Sequence, residues 1–314
     1  MQALDQSVPV RRVNPQQRKV IIKEINRMLE DGIIEPAFSP WQAAIVMVRK
    51  KTNDWRFCVD FTKLNKVTKV MSYVLPRPDD CFDAIGQAKH FSSCDLNCGY
   101  WVLPLADEDD RKKTAFASPV GNYQFKVLPF GWKNSPAIFA QFMAMVLSST
   151  RFICTVHFFD DILIYSTTAE KHLKDIEHVL GLLIDNGCNV KAEKCSFFFK
   201  RGKFLGHMID SRGIGVCRDK VMAVQDMNPQ NAKELKSFVH LCSYYRKFIR
   251  NFSAVTAPLQ ALIARGKKWK GNYTAKEEKA IEYLKDRLSS EPILGYPDFS
   301  QPFRIECDAA PVGI

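Results

Sequence analysis

Two adjacent aspartates, Asp160 and Asp161, interrupt the apolar stretch Thr155-Val-His-Phe-Phe-Asp-Asp-Ile-Leu-Ile-Tyr165. Burying one ionised carboxylate without a partner is very costly, and two side by side repel each other as well. A doubly charged cation is the natural way to keep both ionised. Aspartate also favours turns, so a surface hairpin whose turn happens to be Asp-Asp is the plainer reading of this window. A third carboxylate tips the balance: Asp95 sits in a similar setting, Lys89-His-Phe-Ser-Ser-Cys-Asp-Leu-Asn-Cys-Gly-Tyr-Trp-Val-Leu103. Carboxylates at the ends of separate apolar strands suggest a two-metal phosphoryl-transfer site.

Such a site needs a frame. The Asp-Asp stretch reads as two strands joined by a tight turn. Asn14 as N-cap, Pro15 at the first helical position and Gln17 as partner of a capping box predict a helix start. Its apolar stripe is Ile21, Ile25, Met28 and Leu29, and Gly32 closes it. Ala43–Val48 and Trp55–Val59 read as a hairpin around Thr52-Asn-Asp54, and Asn122–Leu128 as a further strand. Ser135 and Pro136 are placed to cap and open a helix with Phe139, Phe142, Met143 and Val146 on one face. Thr167 and Glu170 form a second capping-box pattern before a helix that runs to Asn186-Gly187. From about Pro229 the pattern turns helical, with Asn231 and Glu234 capping a helix through Leu235, Phe238, Cys242 and Tyr245. Lys236, Arg246, Lys247 and Arg250 flank it as a solvated basic face, or as a phosphate-tracking one if a polymerase lies beside it. Strands and helices alternating in this way predict an α+β core with a mostly antiparallel sheet.

At 314 residues, 46% apolar and 11% aromatic, the chain can bury substantial cores in two or three units. A net charge of +11 and a pI near 9.1 point to an acidic partner, nucleic acid or an anionic membrane. No apolar run approaches the roughly 20 residues that span a bilayer, and the first residues lack a signal-peptide pattern. The expectation is an intracellular protein, cytoplasmic or nuclear. The ten cysteines show no CxxC pair and read as reduced core residues. A zinc site at Cys94, Cys98 and His90 would lack a second ligand pair, and His157 reads as a half-buried strand residue.

The chain resembles the reverse transcriptase region of gypsy-class LTR-retrotransposon Pol polyproteins, relatives of retroviral reverse transcriptases. The matching stretches run in family order: Ile33-Ile-Glu-Pro36, Ser39-Pro-Trp41, Trp55-Arg-Phe-Cys-Val-Asp-Phe61, Leu64-Asn-Lys66, Leu75-Pro-Arg-Pro78, Phe91-Ser92, Asp95-Leu96, Gly99-Tyr100, Lys113-Thr-Ala-Phe116, Leu128-Pro-Phe-Gly131, Phe158-Phe-Asp-Asp-Ile-Leu-Ile164, Phe204-Leu-Gly-His207 and Ser243-Tyr-Tyr-Arg-Lys-Phe-Ile249. One Asp-Asp pair is weak evidence; so many blocks in register are strong evidence.

The resemblance implies a right-hand polymerase. It places fingers at 1–73 and 106–127, palm at 74–105 and 128–206, and thumb at 207–272. A connection at 273–301 and an incomplete RNase H-like start at 302–314 follow, with Asp308 as that domain's first metal ligand. Asp95, Asp160 and Asp161 would hold two Mg²⁺ ions, or Mn²⁺, with Asp161 the less direct ligand. The backbone N–H groups of Leu96, Asn97 and Cys98 would approach the triphosphate. Tyr100 would be the steric gate against a ribose 2′-hydroxyl, core packing being its plainer role. Lys50 and Arg56 would supply fingers cations, Phe130 would pack against the nucleotide, and Gly131 would let the backbone come close. Phe158, Leu205, Gly206, Lys236, Arg246, Lys247 and Arg250 would meet nucleic acid. The implied partners are an RNA or DNA template with its primer and deoxynucleoside triphosphates, and no membrane.

Some positions depart from the family's pattern. Phe158 replaces a usual Tyr, which removes a hydroxyl but no metal ligand, so altered fidelity is expected rather than lost chemistry. Cys98 replaces a small Ser and Val102 a Gln. With an RNase H body, protease, zinc knuckle and integrase missing from the pattern, RNA-strand hydrolysis is not expected. Two readings therefore stand, an RNA-directed DNA polymerase and a truncated nucleic-acid-binding relic of such an element. A two-metal nuclease accounts for the carboxylates but not for Tyr100 or the fingers cations.

Overall fold

A computed structural model describes residues 12–49, 53–74, 76–96, 99–266, 269, 271–290 and 292–304. In chain order it contains α1 (Pro15–Glu30), β1 (Ile34–Pro36), β2 (Ala43–Arg49), β3 (Trp55–Asp60), α2 (Thr62–Val67) and α3 (Pro78–Asp83). Next come β4 (His90–Asp95), α4 (Glu108–Lys113), β5 (Phe116–Ser118), β6 (Gly121–Phe125) and α5 (Ser135–Val146). β7 (Thr155–Phe158), β8 (Asp161–Ser166), α6 (Ala169–Asp185), β9 (Ser196–Phe199), β10 (Arg201–Phe204), β11 (His207–Asp210) and β12 (Gly213–Val216) follow. The chain continues through α7 (Arg218–Asp226), α8 (Ala232–Tyr244), α9 (Phe252–Arg265), α10 (Ala275–Ser289) and β13 (Ile293–Leu294). Three strand orders result: β1-β6-β5-β2-β3, β7-β8-β4-β9 and β10-β11-β12-β13. Of the strand pairs with a defined register, all are antiparallel except β2 with β5. The architecture is α+β with mostly antiparallel sheets.

The chain divides into two compact units. The first comprises Met1–Pro76, Ser93–Ile162 and Ile176–Cys195. Its α1 starts as the sequence dictates: Asn14 Oδ1 accepts from the Gln17 N–H at 2.8 Å, and Gln17 Oε1 accepts from the Asn14 N–H at 3.2 Å. The stripe Ile21, Ile25 and Met28 packs with Ile34, Ile45, Phe61, Phe116 and Phe125, which lays α1 against the five-stranded sheet. Burying side chains of this size stabilises by roughly 1.5–3 kcal/mol each, so this cluster fixes the frame on which the β2–β3 hairpin stands. The hairpin turns through Asn53 at φ +65°, and Arg49 donates to the Asn53 side chain at 2.6 Å while lying over the Trp55 ring.

Two helix starts differ from the sequence pattern. α5 begins after Asn134, not after a capping Ser135, because the Ser135 hydroxyl donates to the Pro129 carbonyl at 2.7 Å and is spent there. At the start of α6 it is Thr168, not Thr167, whose hydroxyl accepts from the Lys171 N–H at 3.3 Å.

The second unit comprises Arg77–Ser92, Leu163–Asp175 and Ser196–Ile314. Here α8 packs on α9, α9 on α10 and α10 on α7, burying Val224, Leu235, Phe238, Cys242, Leu259 and Leu284. Strands β10, β11 and β12 precede the helical pattern read from about Pro229, and the sequence patterns marked none of them as a strand. Strand β12 needs Gly213, since a Cβ there would fall 1.9 Å from the Leu294 carbonyl oxygen of β13. A buried polar chain joins strands and helix in this unit: Ser92 Oγ to His172 Nε2 at 2.8 Å, His172 Nδ1 to Ser166 Oγ at 2.9 Å, and Ser166 Oγ to Asp175 at 2.6 Å. Ser92 and His172 are fully buried, so this constellation is a structural tie rather than a hydrolytic site. Among the described residues no helix is long and apolar enough to cross a membrane.

Candidate active site

All three aspartates belong to the first unit. Asp95 ends β4, Asp160 lies in the turn between β7 and β8, and Asp161 opens β8. Val156, Ile162 and Ile164 on these strands are almost fully buried, so the turn carrying the carboxylates is held from both sides. That turn forces Phe159 to φ +55°, a left-handed conformation that a bulky side chain adopts at a cost of about 1–3 kcal/mol. The cost aims two carboxylates outward from an apolar sheet.

The carboxylates feel each other. The Asp161 carboxyl is pushed above its ordinary range, first by partial desolvation, then by Asp160 and Asp95, against the pull of Lys194. Lys194 is a residue that sequence patterns did not single out. Its ammonium donates to both carboxylate oxygens of Asp95 at 2.9 Å each. The segment bearing it is laced to β4: the Lys191 N–H donates to the Asp95 carbonyl at 2.9 Å, and Leu96 forms an antiparallel bridge with Val190. Asp95, Asp160 and Asp161 all raise the Lys194 pKa, the hydrogen-bonded Asp95 most. Lys194 is therefore a tethered cation among the aspartates. Among the described residues no group of His, Cys, Asp or Glu stands arranged to hold one metal ion.

Tyr100 lies in the short 3-10 turn Gly99–Val102 that follows β4. Its ring stacks on Phe130 with centroids 4.7 Å apart and meets Phe139 edge-on at 5.2 Å. Burial, and then the Asp160 charge, raise the Tyr100 phenol pKa, which places that hydroxyl in the field of the Asp-Asp turn. Gly99 is required for this packing, because a Cβ there would come within 2.7 Å of the Phe139 ring. Phe130 itself is 48% exposed, and Gly131 adopts φ +87°, which favours glycine. The loop is clamped by Asn65, whose amide donates to the Gly131 carbonyl at 2.9 Å and accepts from the Lys133 N–H at 2.8 Å. Asn134 adds a bond to the Lys69 carbonyl at 2.9 Å. Sequence reading placed Asn65 in a motif but gave it no role.

The remaining candidates are distributed as follows. Arg56 is exposed on β3, and Leu96 is buried in its bridge with Val190. Lys50, Asn97, Cys98 and Asp308 lie outside the described residues. Phe158 ends β7 and contacts Phe159 edge-on. In the second unit, Leu205 and Gly206 form the turn between β10 and β11, and their carbonyls accept from the Tyr244 and Tyr245 hydroxyls at 2.5 and 2.6 Å. Lys236 is exposed on α8. Arg246, Lys247 and Arg250 do not flank that helix, which ends at Tyr244: Arg246 and Lys247 lie in a 3-10 turn, and Arg250 follows it. Lys247 is engaged, donating to Asp79 at 2.8 Å and lying 4.8 Å over the Phe82 ring. His157 is buried, not half-buried.

Residues 48–209 match the family model described as reverse transcriptase (RNA-dependent DNA polymerase). The chain belongs to the reverse transcriptase family. Residues 273–314 match a second model, an RNase H-like domain found in reverse transcriptase. The Drosophila melanogaster retrovirus-related Pol polyproteins from transposons opus and gypsy are 36% and 35% identical, each over 93% of this chain. The Schizosaccharomyces pombe transposon Tf2-3 polyprotein is 32% identical over 96% of it. The chain spans less than a third of these relatives, 31%, 30% and 22% of their lengths. Among solved structures, the foamy viral protease-reverse transcriptase in complex with dsDNA superposes with a TM-score of 0.86 at 25% identity, covering 96% of this chain and 63% of that one. The same viral protein in complex with an RNA/DNA hybrid gives 0.81, covering 94% and 40%. This reverse transcriptase relative thus has both the family's sequence blocks and its fold.

Proposed function

We propose that the chain is an RNA-directed DNA polymerase that extends a primer 3′ end with deoxynucleotides. The observation that carries this is the Lys194–Asp95 ion pair lying in the field of Asp160 and Asp161, together with the Tyr100–Phe130 stack that follows β4. The three carboxylates are not arranged around one ion, but their chemistry suits divalent metal: they raise one another's proton affinity, and Asp95 already holds an ammonium. Asp95, Asp160 and, less directly, Asp161 would be the ligands. Two Mg²⁺ or Mn²⁺ ions bound there would stabilise the attacking primer oxygen and the departing pyrophosphate. The chain's own residues do the rest. Tyr100, braced by Phe130 and Phe139, presents a rigid ring that a 2′-hydroxyl would strike. Arg56, with Lys50, supplies cations for the triphosphate, and the Asn65 clamp holds the Phe130-Gly131 loop in place. Fingers, palm and thumb are assigned to the ranges given above, and the basic surface at Lys236, Arg246 and Arg250 is assigned to the template-primer backbone. The complexes of the viral relative with dsDNA and RNA/DNA hybrid support nucleic acid as the partner.

Primer extension on RNA and DNA templates with Mg²⁺ or Mn²⁺ tests the proposal. Asp160→Asn removes one charge and one ligand oxygen, so it should abolish extension while fold and duplex binding persist. Extension by Asp160→Asn at the wild-type rate would overturn the metal assignment. The alternative, a nucleic-acid-binding relic, draws support from Phe158 in place of the family's tyrosine, and duplex binding without extension by the wild-type chain would establish it.

A further inference from the structure

The hairpin of β10 and β11 turns through two residues, Leu205 and Gly206, both in the left-handed region at φ +43° and +69°. A two-residue turn of this kind needs positive φ twice, which Asn-Gly supplies readily and a bulky residue resists. Leu205 adopts it nonetheless, and its carbonyl shows why. That oxygen accepts from the Tyr244 hydroxyl at 2.5 Å and from the His207 Nδ1–H at 3.0 Å. The next carbonyl, of Gly206, accepts from the Tyr245 hydroxyl at 2.6 Å. Tyr244 and Tyr245 are consecutive residues at the end of α8, so one helix end grips two consecutive peptide units.

The grip is itself held. The centroid of the His207 ring lies 5.1 Å from that of Tyr244, 5.2 Å from Tyr245 and 4.8 Å from Phe82, and Tyr245, His207 and Phe82 are buried. Closing the hairpin does not require the two phenols, because the pairing from Arg201 with Asp210 to Phe204 with His207 already sets its register. What they fix is the direction of the Leu205–Gly206 peptide. That peptide is trans, so a carbonyl drawn toward Tyr244 sends the Gly206 N–H the opposite way. Gly206 is exposed, and its N–H has no acceptor among the described residues.

We propose that Tyr244 and Tyr245 are positioning residues for the contact this turn makes with nucleic acid: their hydroxyls hold the Leu205–Gly206 peptide so that the Gly206 N–H faces a phosphodiester oxygen of the bound duplex. This role presupposes the polymerase reading, in which Leu205 and Gly206 meet nucleic acid. Without the Tyr244 hydroxyl, the Leu205 carbonyl keeps only the imidazole donor. The strain at Leu205 then favours rotation of the peptide, and the N–H leaves the phosphate. That N–H carries no formal charge, so its loss leaves counterion release unaltered and weakens binding equally at every salt concentration.

The affinity of the full chain for a labelled DNA primer-template is measured by fluorescence anisotropy over a range of salt. Tyr244→Phe keeps the ring of a half-exposed residue and should raise Kd about three-fold. Tyr244→Phe combined with Tyr245→Phe should raise it about ten-fold, the sizes expected for losing one and two neutral hydrogen bonds. The log–log salt slope should keep its wild-type value in both. Leu205→Asn supplies a residue that adopts the left-handed conformation more readily, so in that background Tyr244→Phe should cost less than about 1.5-fold. A general loosening of the fold would show no such rescue. Unchanged Kd in Tyr244→Phe, an equal cost in the Leu205→Asn background, or a fall in the salt slope would overturn the positioning role. A wild-type chain that binds no duplex would overturn the assignment of the turn to nucleic acid. Failure of the polymerase reading shows differently: wild type and variants follow the expected affinities, yet none extends a primer.

Discussion

Replacing Lys194 by methionine removes the tethered cation while keeping the length of the side chain. The ammonium lies 2.9 Å from each oxygen of Asp95, so it is the nearest charge that an arriving divalent ion must displace. At such a separation two unit charges attract by about 1.4 kcal/mol in water and about 6 kcal/mol at an effective dielectric of 20. The Lys194 side chain is 54% exposed and that of Asp95 24%, which puts the pair toward the watery end. A displacement cost of about 1–2 kcal/mol is a factor of roughly 5–30 in affinity. Lys194→Met should therefore tighten the first Mn²⁺ by that factor, read as loss of the free-ion EPR signal in a titration without nucleotide. Lys194→Arg keeps the charge and should remain close to wild type, and Asp95→Asn should abolish the gain. Equal Mn²⁺ affinity in wild type and Lys194→Met would show that the ammonium does not compete for Asp95.

Tyr100→Ala should raise ribonucleotide incorporation relative to deoxynucleotide, while Tyr100→Phe, which keeps both ring contacts, should retain discrimination. The alanine variant also loses two aromatic contacts worth about 0.5–1.5 kcal/mol each, so its denaturant midpoint should fall. His157 is buried with neither ring nitrogen hydrogen-bonded, and burial, then Arg151, hold its pKa at about 4 against an ordinary 6.5. Its folded value lies below its unfolded one, so its stabilisation is complete above pH 6.5 and lost as pH falls toward 4, by about 3 kcal/mol. Urea midpoints of His157→Phe should therefore fall less than wild type across that window, and parallel pH curves would refute the assignment. Affinity for primer-template should drop steeply with salt, and removing Arg246 and Arg250 together should reduce the log–log slope by about two. Lys247→Ala should change the slope less, because Asp79 already holds that lysine.

The parts that sequence disclosed are those written within a few residues. The Asn14–Gln17 capping box and the Asn231–Glu234 cap are local hydrogen bonds between side chain and backbone, and both form as the pattern requires. The apolar stretch broken by Asp160-Asp161 is likewise local, since only a hairpin lets such strands bury both sides and present the break at the tip. Where a local donor had a more distant use, the pattern misled. Ser135 had the type and place of a cap, but its hydroxyl goes to Pro129, and Asn134 precedes the helix instead. The β10–β12 meander escaped for another reason. Its strands are four residues long and carry Gly202, Gly213 and Gly215, which weaken the alternation by which a strand is recognised.

The charge balance of the site was legible only in half. Three aspartates near apolar strands announce a need for positive charge, and sequence reasoning assigned that need to metal ions. Lys194, 99 residues from Asp95, sits in Lys191-Ala-Glu-Lys-Cys195 with nothing periodic to distinguish it from any surface lysine. Only the pairing of residues 190 and 191 with the end of β4 brings it to the carboxylates. A carboxylate cluster therefore defines what must neutralise it, whereas the fold decides which chain segment is close enough to do so before a metal arrives. For this chain, substitutions around residues 190–195 should alter metal affinity as strongly as substitutions beside the aspartates themselves.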